Sequence, residues 1–201
     1  QAATYLDEMG YEVYWDDGNA QLKTFDEWLE DLVNEVPDVI VLESTTPVMK
    51  FYWHSVDLIK QKLPNSIVIM TGYHSMRKPE ETMQMCNADM VLRSSNVDFA
   101  LHRLIPGIDG DKNWRVNYKG EGMLIRLENG DLRSTGDFRQ VEPLDNSPLV
   151  NRDLVKWKNY AFENGNFLQT PGTYASSVIR DCMFGKCTFC RYNGPDLTFS
   201  M

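Results

Sequence analysis

Three of the chain's four cysteines, Cys182, Cys187 and Cys190, fall within nine residues in the stretch DCMFGKCTFC. Their spacing is C-x4-C-x2-C. Thiolates bind soft metals, and ligands this close on one loop can wrap a single centre. A structural zinc site would be completed by a second C-x2-C or a histidine pair. Neither follows, and the fourth cysteine, Cys86, lies far upstream. A redox pair of Cys187 and Cys190 leaves Cys182 without a role. Three ligands suit a [4Fe-4S] cluster with one iron left open for a substrate. On residue types alone three chemistries stand open: an iron–sulfur cluster, a zinc site completed from elsewhere, and redox or inert thiols.

A second set of residues follows two apolar runs. Ser44, Thr45 and Thr46 come after DVIVLE, and Thr71, Gly72, Tyr73 and His74 come after SIVIM. Open α/β sheets bind ligands at the C-terminal ends of their strands. Small hydroxyls there supply hydrogen bonds without bulk, and glycine lets another group come close. Thr45 and Thr46 also suit a helix entry, and His74 a solvated loop.

The elements that would position these groups can be read from periodicity. AATYLDEMG reads as a helix closed by Gly10. YEVYW reads as a strand. TFDEWLEDLVNEV places Phe25, Trp28, Leu29, Leu32, Val33 and Val36 on one helical face, with Thr24 as its N-cap. DVIVLES and SIVIMTG read as buried parallel strands. FYWHSVDLIKQKL is helical between them. KPEETMQMC is a short helix opened by Pro79, ADMVLR a strand and VDFALHRLI a helix. The alternation is that of a doubly wound, flavodoxin-like parallel sheet. It opens on a helix, which we read as a missing first strand with natural sequence upstream of Gln1; the alternative is a four-stranded sheet that closes up. IDGDKN reads as a linker and GMLIRLENGDLRSTG as a hairpin turning at Asn129-Gly130. VEPLDNSPLVNRDLVKWKNY reads as a connector, and TYASSVIRDC as a strand that delivers Cys182.

Composition narrows the classes. With 201 residues, 42% hydrophobic and 11% aromatic, the chain can bury a core. Its net charge is −9 with no basic run, which argues against nucleic acid as a partner. No apolar run is long enough for a membrane span, and QAATYLDEMG does not read as a signal peptide. Few, clustered thiols suit a reducing cytoplasm.

The stretch SSVIRDCMFGKCTFC resembles the cluster loop of the radical S-adenosylmethionine (SAM) enzymes, with Lys186 before the middle cysteine and Phe189 before the last. The family's usual spacing is C-x3-C-x2-C. The extra residue here resembles a variant of some cobalamin-dependent members. PDVIVLESTTPVM, LPNSIVIMTGYHSMRKPEETM and ADMVLRSS resemble the cobalamin (B12)-binding domain fused ahead of many such enzymes. VEPLDNSPLVNRDLVKW resembles the segment that joins the two domains. There is no D-x-H-x-x-G stretch, so no histidine is an evident lower ligand to cobalt. RSSNVD stands where relatives often carry Gly-Glu-Gly-Glu.

The resemblance implies a division into three. Residues 1–107 would be the cobalamin-binding domain, 108–172 the linker, hairpin and connector, and 173–201 the truncated start of a radical SAM partial (β/α) barrel. Cys182, Cys187 and Cys190 would hold the [4Fe-4S] cluster, with Phe189 near the adenine of SAM. Ser44, Thr45, Thr46, Gly72, Tyr73 and His74 would line the cobalamin site. The implied chemistry is reductive cleavage of SAM to a 5′-deoxyadenosyl radical for C–H functionalisation, methyl transfer ahead of cyclisation. It implies a small-molecule or peptide substrate and an electron donor such as flavodoxin or ferredoxin. As a fragment, the chain is not expected to complete catalysis. The competing readings are a receiver-like module and a cobalamin carrier with structural zinc. A receiver needs an aspartate where Glu43 and Ser44 stand, and a lysine where Arg93 stands.

Overall fold

The computed structural model describes residues 1–138 and 142–160. They belong to two compact units, residues 32–140 and residues 1–31 with 141–201.

The first of these units is built on a five-stranded mixed sheet. Strands β1 (Val39–Glu43), β2 (Ile67–Thr71) and β3 (Met90–Leu92) run parallel, and β4 (Met123–Arg126) and β5 (Leu132–Ser134) continue antiparallel, in the order β1-β2-β3-β4-β5. Helix α3 (Met49–Lys62) links β1 to β2, and α4 (Tyr73–Arg77) and α5 (Pro79–Met85) link β2 to β3. Helix α6 (Val97–Ile108) and the single turn α7 (Trp114–Asn117) follow. The register puts Glu43 beside Thr71, so both strands end level. Val68, Ile69 and Met70 of β2 and all of β3 are fully buried. Each such side chain contributes roughly 1.5–3 kcal/mol by leaving water.

Two findings depart from the sequence reading. The hairpin expected beyond residue 108 is present, turned at Gly130 with φ +89°, but it is part of the sheet. Its β4 strand pairs with β3 through Met90–Ile125, Val91–Leu124 and Leu92–Met123. The sheet is therefore mixed and not parallel throughout. The second departure is YEVYW, residues 11–15, which forms no strand. That leaves β1 as a sheet edge among the described residues, and Val39, Val41 and Leu42 are only half-buried there.

The N-terminal ends of the parallel strands meet one saturated polar cluster. Asp89, just before β3, is 4% exposed. Its Oδ2 accepts from Lys60 Nζ at 3.0 Å and from the Val68 N–H at 2.8 Å, and its Oδ1 pairs with the Arg115 guanidinium. Lys60 also donates to the Ser66 carbonyl at 2.8 Å, and Arg115 to the Arg126 carbonyl at 2.8 Å. Arg126 donates to the Ala88 carbonyl at 3.0 Å and the Cys86 carbonyl at 2.9 Å. Arg133 donates to the Arg115 carbonyl at 2.8 Å and the Tyr118 carbonyl at 3.0 Å. The network ties the hairpin to β3 and α3.

In the other unit, α1 (Ala2–Glu8) stops as its sequence predicts. Gly10 takes φ +89°, its N–H donates to the Asp7 carbonyl at 2.9 Å, and the Tyr11 N–H donates to the Leu6 carbonyl at 3.1 Å. That is the paired closure of a Schellman motif. Residues 11–15 then use side chains where a strand would use its backbone ladder. Trp15 Nε1 donates to the Tyr160 hydroxyl at 2.9 Å, that hydroxyl donates to Asp17 Oδ2 at 2.9 Å, and Lys156 lies 5.0 Å over the Tyr14 ring. Burial pushes the Tyr160 hydroxyl up to about 12. Helix α2 (Phe25–Glu35) opens on a capping box. The Thr24 N–H donates to Glu27 Oε2 at 2.8 Å, and the Glu27 N–H to Thr24 Oγ1 at 3.3 Å.

Candidate functional site

The C-terminal ends of β1 and β2 bring Ser44, Thr46, Gly72 and His74 together. Ser44 is fully buried at the end of β1. Its N–H donates to the Thr71 carbonyl at 2.9 Å, extending the ladder by one residue. Its hydroxyl donates to the same carbonyl at 2.8 Å and lies 2.7 Å from the Ser75 hydroxyl. Thr45 occupies the N-cap position of a 3-10 turn, Thr46–Val48, without a side-chain cap bond. Both threonines are exposed.

Gly72 explains the shape of the loop. Its φ of +89° and ψ of 172° lie in a region almost closed to other residues. A Cβ there would stand 2.4 Å from the Ser44 carbonyl oxygen and 2.6 Å from the Ser44 nitrogen. The close approach that demands glycine is thus made by the chain's own β1 end. It launches α4, which begins with Tyr73 and His74. Tyr73 faces outward with the Arg77 guanidinium 5.9 Å from its ring centroid.

His74 is held from two sides. Its Nδ1 lies 3.3 Å from Thr46 Oγ1, and its ring meets Trp53 of α3 edge-to-face at 5.9 Å and 73°. Among the described residues its Nε2 is buried without a partner, as are the Trp53 indole nitrogen and Thr71 Oγ1. Trp53 is 8% exposed and Thr71 1% exposed. Leaving such a group unmet costs about 1–3 kcal/mol. Protein interiors rarely carry these orphans without reason; Asp16 Oδ2 and Thr82 Oγ1 are others among the described residues, and three lie on Trp53, Thr71 and His74, near the strand ends where a ligand is expected. Trp53 carries no signal of its own, since in sequence it reads as one more aromatic on an amphipathic helix. Ser75 was equally silent, as a small residue inside a loop.

Cys182, Cys187, Cys190 and Phe189 lie outside the described residues, as do the strand expected at TYASSVIRDC and the barrel entry expected at 173–201. Among the described residues, no group of three or more His, Cys, Asp or Glu is placed to hold a metal ion. Cys86 is buried, and burial pushes its thiol up to about 11. No helix among the described residues is long and apolar enough to cross a membrane.

No family model matches the sequence, and no curated protein matches it. Among solved structures, the fold is similar to that of a radical S-adenosylmethionine methyltransferase, TsrM, from Kitasatospora setae, with cobalamin and a [4Fe-4S] cluster bound. The two share 15% sequence identity at a TM-score of 0.51, over 67% of this chain and 26% of that one. The likeness is one of fold. This chain spans about a quarter of the neighbour's length.

Proposed function

We propose that the C-terminal sheet edge binds cobalamin and that the chain is part of a cobalamin-dependent radical SAM enzyme. The observation that carries this reading is the cluster of unpartnered buried polar groups, Trp53, Thr71 and His74, around that edge. The same chain carries the C-x4-C-x2-C thiol loop downstream, and the fold likeness to a cobalamin-bound neighbour supports the pairing.

The residues present fit such a group. A corrinoid's nucleotide arm needs a narrow, hydroxyl-lined path beside a sheet. Thr45, Thr46 and Thr71 offer hydroxyls. Ser44 already bonds Ser75 and the Thr71 carbonyl, so it holds the path's shape. Gly72 sets the loop that carries Tyr73 and His74. Cys182, Cys187 and Cys190 would supply three thiolates to a [4Fe-4S] cluster, leaving one iron for SAM, with Phe189 beside the adenine. When bound, these groups would supply a 5′-deoxyadenosyl radical and a methyl carrier, for methyl transfer to a C–H position.

The test is anaerobic reconstitution with iron and sulfide, followed by electron paramagnetic resonance of the reduced chain. A [4Fe-4S]⁺ signal that changes on adding SAM and is lost in Cys187→Ala is the expected result. Stoichiometric zinc without labile sulfide would replace the radical reading with a structural metal knot.

A further inference from the structure

We infer that Trp53 and His74 form a donor pair for the phosphodiester of the bound cobalamin's nucleotide arm. This rests on the cobalamin reading above and goes beyond it by naming the group recognised and a residue, Trp53, outside the loop motifs.

The argument is one of matching chemistry. An indole N–H only donates. In the tautomer in which the Thr46 hydroxyl donates to Nδ1, 3.3 Å away, His74 carries its proton on Nε2 and donates there too. The two rings meet edge-to-face with centroids 5.9 Å apart, so the two donors belong to neighbouring side chains. Both nitrogens are buried and neither meets an acceptor among the described residues. The corrin's peripheral carboxamides bring N–H donors of their own, which would need acceptors beside this pair. A phosphodiester is acceptor-only and anionic, and hydrogen bonds to charged groups are the stronger kind. The chain's net charge of −9 gives such a group no general attraction, so specific donors must hold it. His74 rides on the five residues of α4, which hang from Gly72. For a phosphate to reach this solvent-excluded pair, α4 has to shift on binding.

The test compares two probes on the 201-residue chain. Hydroxocobalamin carries the phosphodiester. Cobinamide keeps the corrin and its amides but lacks the phosphodiester and nucleotide base. Trp53→Phe keeps the ring and removes the N–H. We expect it to weaken hydroxocobalamin binding by about tenfold, and His74→Ala by roughly ten- to a hundredfold. His74→Gln should recover part of that loss, because its amide donates. Cobinamide affinity should be unchanged in all three variants, which also reports that they fold. Equal losses for both probes would overturn the inference in favour of a corrin amide. Unchanged hydroxocobalamin binding in Trp53→Phe and His74→Ala would overturn it outright. A wild-type chain that binds neither probe would instead remove the cobalamin reading, and the inference with it.

Discussion

The two ends of the parallel strands both bury polar groups and treat them in opposite ways. At the N-terminal end, both carboxylate oxygens of Asp89 have donors, and Lys60, Arg115, Arg126 and Arg133 each find acceptors. At the C-terminal end, Trp53, Thr71 and His74 keep buried atoms that meet no partner among the described residues. A satisfied polar network fixes one arrangement of a core. An unsatisfied one raises the energy of the ligand-free state and lowers the cost of a ligand that completes it. One end therefore holds the fold, and the other is the end we propose as the binding site.

Breaking the saturated end should have the largest effect. Asp89→Ala leaves Lys60, Arg115 and the Val68 N–H facing an emptied site. Removing one member of a buried charge pair costs about 3–5 kcal/mol. Because Lys60 and Arg115 are partly exposed, at 18% and 24%, the lower figure applies. Urea denaturation should show this as a lower midpoint with an unchanged slope.

Gly72→Ala should come next. The new Cβ meets the Ser44 backbone, and the residue must hold a φ near +89°. Strain of this kind costs roughly 1–3 kcal/mol. The same variant should lose cobalamin binding, since the loop that carries His74 is displaced.

Thr71→Val sharpens the contrast, because it should do the opposite. Its hydroxyl oxygen is buried and unmet, so exchanging it for a methyl removes an unsatisfied group at nearly constant volume. Stability should hold or rise by up to about 1 kcal/mol, while hydroxocobalamin binds more weakly. An equal loss at Thr71 and Asp89 would erase the distinction between the two ends.

The smallest effect is one of pH at the saturated end. Burial raises the Cys86 thiol in the folded state to about 11. The unfolded thiol titrates near its ordinary value of about 8.5. The folded state then holds its proton more tightly, so stability is full below the unfolded value and falls as pH rises towards the folded one. Cys86→Ala should flatten that part of the stability profile.

The parts of the fold legible in sequence are those fixed by neighbours. Gly10 ends α1, and Thr24 with Glu27 opens α2, because these closures need only a few adjacent residues. The apolar runs of β2 and β3 are plain because both faces are buried. YEVYW alternates like a strand, yet a strand also needs a partner at its edge. Trp15 and Asp17 engage Tyr160, a residue some 140 positions away. The hairpin was legible, but its docking on β3 depends on Arg115 and Arg126 reaching Asp89 and Ala88 across the chain. At the candidate site, Ser44, Gly72 and His74 could be picked out by their place after apolar runs. Trp53 and Ser75 could not, because only folding sets them beside His74 and Ser44.

Amide hydrogen exchange with and without hydroxocobalamin tests the division of labour most directly. The account predicts added protection at residues 44–46 and 71–76 and in α3 around Trp53, with no change around Lys60, Asp89 and Arg126. Protection at the Asp89 end, or none at the Ser44–His74 end in a chain saturated with ligand, would contradict it.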